Sequence, residues 1–208
     1  MILFYDTETN GLPDFRAPSD APHQPHIVQF AALLVDPVTR RERAAVNVVV
    51  RPDGWNISGE MSAIHGITEE MATRCGIPEK LAVQMFRELR VQAGSEVAHN
   101  LAFDARIMRI AQMRHLNLDK ETLKCEEGWT ESFCTMAMAT PIVNLPPTEK
   151  MLAAGFTKPK SPRLSECVKH FFNEELNGAH DSMTDVRACM RLYFYLLDSG
   201  LIATKDVS

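Results

Sequence analysis

Hydrophobic and polar positions along the chain separate into strand-like runs first and helix-like stripes later. Ile2–Tyr5 is a short apolar run that ends in charge at Asp6, as a central strand does where it leaves a core. Ile27–Val35 reads as a second strand, and Ala44–Val50 is β-branched enough for a third, which together predict an antiparallel meander. Glu96–His99 and Ser132–Thr135 read as short strands. From Pro78 onward Leu81, Met85, Phe86 and Leu89 share one helical face. Phe103, Ile107, Ile110 and Ala111 do the same within a helix over 102–115, and helices are expected over 164–172 and 184–197. Pro13, Pro18, Pro22 and Pro25 mark a loop over 12–26, and five prolines make 141–162 a long loop. Strands around one mixed sheet followed by helices place the chain in the α/β or α+β class, as one domain over residues 1–208.

Composition narrows this further. With 208 residues, 45% of them apolar, the chain supports one well-packed core better than two. No run approaches the roughly 18 apolar residues of a membrane span. The N-terminus passes from Met1 straight into Ile2-Leu3-Phe4-Tyr5 without a basic leader, so a cytoplasmic location is expected. Five scattered cysteines without a C-x-x-C pair predict buried, reduced thiols and no disulfide framework. His23-x-x-His26 is too short and too flanked by proline to suggest zinc. A formal charge of -5 argues against a broad electrostatic groove for duplex DNA, but leaves room for a small site that grips one chain end.

Three polar clusters carry candidate chemistry. In Asp6-Thr7-Glu8 the two carboxylates are two apart on a strand and project from one face. Two anions so placed repel unless a cation joins them. In Val97–Asp104 a strand ends in His99-Asn100, and a helix follows with Asp104 in its first turn; helix capping by Asn100 accounts for this cluster taken alone. His180 and Asp185 are five positions apart, about 140° around a helix, so His180 should lie on an extended approach and Asp185 in the first turn. Ser182-x-x-Asp185 also fits a capping pattern.

Taken in order, the clusters resemble the DEDD exonucleases with a histidine (DEDDh), the DnaQ-like group on the RNase H-like fold. Asp6 and Glu8 match the first motif, Asn100-x-x-Phe103-Asp104 the second and His180-x-x-x-x-Asp185 the third. Arg51-Pro52, Ala63–Thr68 and Cys134-Thr135-Met136 look like the exonuclease X branch, and the resemblance spans residues 2 to about 197. It implies a mixed sheet flanked by helices, and 3′→5′ hydrolysis with two Mg²⁺ or Mn²⁺ ions as cofactors. Asp6, Glu8, Asp104 and Asp185 would be the metal ligands and His180 the general base. Thr7, Leu12, Ile64, His65, Asn100 and Phe103 would hold the terminal nucleotide. The expected partner is a nucleic-acid 3′ end, DNA favoured over RNA. An exoribonuclease of the same family and a polymerase-associated end-binding subunit are the rival readings, although a degenerate binder would be expected to have lost one of the five residues. Lys158, Lys160 and Arg163 are further phosphate candidates, at even odds with a solvated surface. Oligomeric state is left open, a dimer among the options.

Overall fold

The computed structural model describes residues 1–128 and 130–202. Five strands form one sheet in the order β3-β2-β1-β4-β5. β1 (Ile2–Thr9) is central, antiparallel to β2 (Ile27–Val35), which is antiparallel to β3 (Glu42–Val49). β4 (Ser95–Ala98) and β5 (Glu131–Cys134) add in parallel on the other side. The sheet therefore changes from antiparallel to parallel at β1. This is the mixed sheet expected from the order of strands and helices.

Alternation along β1 sorts its side chains. Leu3 and Tyr5 join Phe30, Ala32 and Leu34 on one face, covered by Phe86 and Leu89 of α3 (Glu79–Arg90) and Ile107 and Met108 of α4 (Leu101–Leu116). Ile2 and Phe4 join Ala31, Leu33 and Val35 on the other face, under Met183, Val186, Tyr193 and Phe194 of α9 (Ser182–Asp198). Each large side chain removed from water here contributes about 1.5–3 kcal/mol. Phe4 is fully buried and packs edge-on to Tyr193, so the even positions of β1 are fixed toward α9. Behind α9 lie α8 (Leu164–Phe172) and α6 (Thr135–Val143), packed through Leu164, Val168 and Ala139.

Several elements depart from the expectation. β1 does not stop at the first charge; it runs on through Asp6 and Glu8, which pair across to Ala31 and Gln29 of β2. The segment 141–162 is not one loop: α6 carries Pro141 inside it, and α7 (Glu149–Ala153) follows, capped by the Thr148 hydroxyl. Pro141 withholds the N–H that would bond the Ala137 carbonyl, and beside it the Thr140 hydroxyl donates to the Met136 carbonyl at 2.7 Å. Two short helices, α1 (Gly59–His65) and α2 (Glu69–Cys75), have Ser58 and Thr68 as N-caps, and α5 (Lys120–Glu127) has Asp119. Of the cysteines only Cys167 and Cys189 are buried; Cys75 and Cys125 are exposed, because both lie on short helices at the surface. Nor is the end of the Pro-rich loop a plain one. The His26 and His115 rings both contact the buried Glu79 carboxylate, at 2.8 and 2.7 Å, and His26 stacks on Trp55. Among the described residues no helix is long and apolar enough to cross a membrane.

Candidate active site

β1 and β4 pair only from Ile2 to Phe4 on the β1 side, and Phe4 lies opposite Val97. Beyond that point β1 continues without β4, so Asp6 and Glu8 stand at a split in the sheet. The parity that turns Phe4 toward α9 turns Asp6 and Glu8 the same way. Thr7, of opposite parity, meets α4 instead. Its backbone N–H and its hydroxyl both donate to Asp104 Oδ1, at 3.0 and 2.8 Å. Asp104 is buried, and this pair of bonds fixes the helix that carries it against the catalytic strand.

Asn100 precedes α4 in a left-handed conformation, φ 70°, and its side chain makes no capping bond. The turn it supplies is one that asparagine tolerates better than most residues. His180 likewise sits outside α9, as the spacing requires, but in a left-handed turn with φ 68° and not on the extended approach expected. Its backbone N–H donates to Asp185 Oδ2 at 3.0 Å. The cap of α9 is not Ser182 but Asp181, whose carboxylate accepts from Thr184 N–H at 3.2 Å and from its hydroxyl at 2.9 Å. Gln29 Nε2 donates to the other Asp181 oxygen at 3.1 Å, tying the start of α9 to β2. Glu8, His180 and Asp185 offer ligand atoms that all lie within 4.8 Å of one another.

One cleft of about 460 Å³ gathers Asp6, Thr7, Glu8, Leu12, Asn100, Phe103, Asp104, His180 and Asp185. Ile64 and His65 do not line it. They stand beside it at the end of α1, Ile64 half-exposed and His65 buried with Nδ1 accepting from the Ile67 N–H. Burial, and then the charge of the neighbouring His180, lowers the His65 pKa. Arg163 lines the cleft as well, whereas Lys160 is engaged with Glu166 at 2.5 Å. Spacing offered no hint of His99 or of Asp181. His99 joins Thr135 to the Pro162 carbonyl at 3.0 and 3.1 Å, and burial pushes its pKa down to about 4, so it holds that wall as a neutral ring. Only its place directly before Asn100 could have marked it.

The electrostatics are those of an anion cluster short of a cation. Burial, then the charge of Asp185, pushes Asp6 up to about 7. Burial, then Asp6, pushes Glu8 up to about 8. Burial and Asp6 raise Asp104 well above the carboxylate range, and burial raises Asp185. Asp185 Oδ1 is buried without a hydrogen-bond partner, an oxygen left for something other than protein.

Residues 3–193 match the model of the RNase_T family, described as Exonuclease. The chain belongs to this DnaQ-like exonuclease family. Exonucleases of the family depend on divalent metal. No curated protein matches the chain. Among solved structures it is similar to E. coli exonuclease I in complex with a dT13 oligonucleotide, with 20% identity, a TM-score of 0.70, and coverage of 94% of this chain and 40% of that one. Exonuclease I from the moderately thermophilic Methylocaldum szegediense aligns with 20% identity and a TM-score of 0.68, over 95% of this chain and 40% of that one. A zinc-bound form of the E. coli enzyme with single-stranded DNA gives 20% identity and a TM-score of 0.65, over 95% and 42%. At such identities the likeness is one of fold. The chain spans about two fifths of the length of these proteins.

Proposed function

We propose that this chain is a 3′→5′ exonuclease that releases nucleoside 5′-monophosphates from a DNA end, single-stranded or frayed. The observation that carries the reading is the meeting of Asp6, Glu8, Asp104, Asp185 and His180 around one cleft, with a buried Asp185 oxygen lacking any partner. All four acids offer hard oxygen, which suits Mg²⁺ or Mn²⁺, and Asp6 beside both Glu8 and Asp104 suits a pair of ions. Bound ions would supply an acidified water and neutralise charge on phosphorus and on the leaving 3′-oxygen.

The side chains of the protein do the rest. His180, exposed at the cleft mouth, takes the proton of the attacking water on its ring nitrogen. Leu12 and Phe103 give the terminal nucleotide apolar surface and Asn100 a polar contact. Thr7 acts through Asp104 rather than on substrate, since its N–H and hydroxyl are already committed. The DNA oligonucleotides bound to the E. coli structural neighbours support DNA over RNA.

Incubation with 5′-labelled single-stranded DNA, duplex DNA and RNA, with and without Mg²⁺, tests the reading. A ladder that shortens from the 3′ end of DNA, only with metal, is expected. Release of internal fragments, or full activity in chelator, would overturn it.

A further inference from the structure

Outside the cleft, the chain concentrates positive charge in one place that the proposed reaction does not use. A cavity of about 750 Å³ between the Pro-rich loop and helices α4 and α5 is lined by Arg16, Arg106, Arg109, Lys120 and Lys124 and, among the described residues, by one carboxylate, Asp20. This is a cationic hollow on a chain of net charge -5. Among the described residues no carboxylate pairs with Arg16, Lys120 or Lys124, all three of them exposed. Phe15, 61% exposed, stands at the same cavity.

The hollow is connected to the catalytic centre. Arg106 and Arg109 follow Asp104 on α4 by two and five positions, which puts them roughly 140–160° round the helix from it. The loop closes over that far face because Arg106 Nη2 donates to the carbonyls of Ala17, at 2.5 Å, and Asp14, at 3.3 Å. Leu12 lines the catalytic cleft and Phe15 the cationic cavity, three residues apart, at most about 11 Å of chain. The loop is thus a ridge with the cleft on one side and positive charge on the other. A positive hollow beside an exposed aromatic ring is the combination by which proteins hold unpaired nucleic acid, the cations on phosphates and the ring against a base.

Resting on the exonuclease reading, we propose that this cavity binds the phosphodiester backbone of the unpaired substrate strand, a few nucleotides upstream of the end held in the cleft. Arg16, Lys120 and Lys124 contact phosphates there, and Phe15 stacks on a base as the strand crosses the loop. The acidic average of the chain hides this contact because the positive residues come from three separate segments.

The test compares wild type with K120E/K124E, using a 5′-labelled 20-nucleotide DNA strand, a 4-nucleotide strand, and a duplex with a blunt 3′ end. Anisotropy in chelator reads binding without turnover. For the 20-nucleotide strand, the slope of log affinity against log salt should fall by about 1.4 in the variant, two phosphate contacts at 0.7 each for single strands. With Mg²⁺ its KM should rise about tenfold while kcat holds, and the 4-nucleotide strand, which reaches fewer of these cations, should show a smaller rise. An unchanged slope and KM for the 20-nucleotide strand would overturn the proposal. So would a loss confined to the duplex, which would assign the cavity to a complementary strand. K120Q/K124Q, which loses the same two contacts and should show the same fall in slope of about 1.4, and matching thermal melts separate the effect from misfolding. If wild type cleaves nothing yet the slope still falls, the catalytic reading fails and the binding surface stands.

Discussion

At the residue scale, the proposed base and the proposed metal ligands are separable because they are held differently. His180 is anchored through its backbone, by the bond from its N–H to Asp185 Oδ2, while its ring stays exposed. His180→Ala should therefore keep that bond and the acid cluster. Turnover is expected to fall by about 10²–10⁴, with the acid limb of the pH–rate profile lost and the Mn²⁺-induced rise in melting temperature retained. Unchanged turnover in a folded variant would move the base elsewhere. Thr7 presents the opposite case, a residue whose N–H and hydroxyl are both spent on Asp104. Thr7→Val keeps the shape and the N–H bond but removes the hydroxyl that donates to buried Asp104 Oδ1 at 2.8 Å. Urea denaturation in chelator should show a loss of about 1–3 kcal/mol, the range for a bond to a buried acid. A loss below about 0.5 kcal/mol, the low end for an ordinary bond, would mean that the Thr7 N–H and packing hold Asp104 without the hydroxyl. The sequence marked Asp104 as a ligand, yet gave no sign of its tie to Thr7, since that contact joins positions 97 residues apart.

Among the elements, α9 serves the site twice, and one residue performs both tasks. Asp181 caps the helix through Thr184 and holds β2 through Gln29, but its charge also raises Asp6 and Glu8. Two substitutions divide these roles. Asp181→Ala loses the cap and should cost about 0.5–2 kcal/mol, read from thermal melts with Mn²⁺ present. Asp181→Asn keeps a capping oxygen for Thr184 but drops the charge and the acceptor for Gln29 Nε2, so without metal at pH 8 it should melt above Asp181→Ala. Equal destabilisation by both would mean that capping is irrelevant. The long elements were legible because their periodicity is strong: β2 and α8 have the bounds that pattern alone predicts. α1, α2, α5 and α7 were not, as helices of 5 to 8 residues show too few turns for an apolar stripe. Their evidence is in the caps, Ser58, Thr68, Asp119 and Thr148. Pro141 hid the end of α6, because a proline reads as a breaker wherever it falls.

For the molecule as a whole, the sheet order follows from strand direction, but the cleft follows from where pairing stops, a register that no single strand reveals. That gap concentrates four acids, and its cost should be visible in global stability. Asp6 is raised to about 7 and Glu8 to about 8, with Asp104 and Asp185 raised as well, so the folded protein retains protons that the unfolded chain gives up near pH 4. Where the folded state binds more protons, stability falls as pH rises. Hence the metal-free protein should lose stability steadily between about pH 4 and pH 8, once the folded acids ionise against one another. Metals that bind only the folded state reverse this. At a hundredfold excess over the dissociation constant, one site contributes about 2.7 kcal/mol, or about 5–10 °C for a chain of this size. Asp6 is coupled to the rest of the cluster, since its charge raises both Glu8 and Asp104 and the charge of Asp185 raises Asp6 in turn. Asp6→Asn should therefore flatten the pH dependence in chelator and melt no lower than wild type at pH 8, because a repelling charge is gone. The same variant should gain little from Mn²⁺. Thermal melts of both proteins from pH 5 to 8, with chelator and with Mn²⁺, measure all three effects. An equal Mn²⁺-induced rise in the two proteins would place the ions away from Asp6, and a pH-independent melt of metal-free wild type would mean that the acids are not crowded at all.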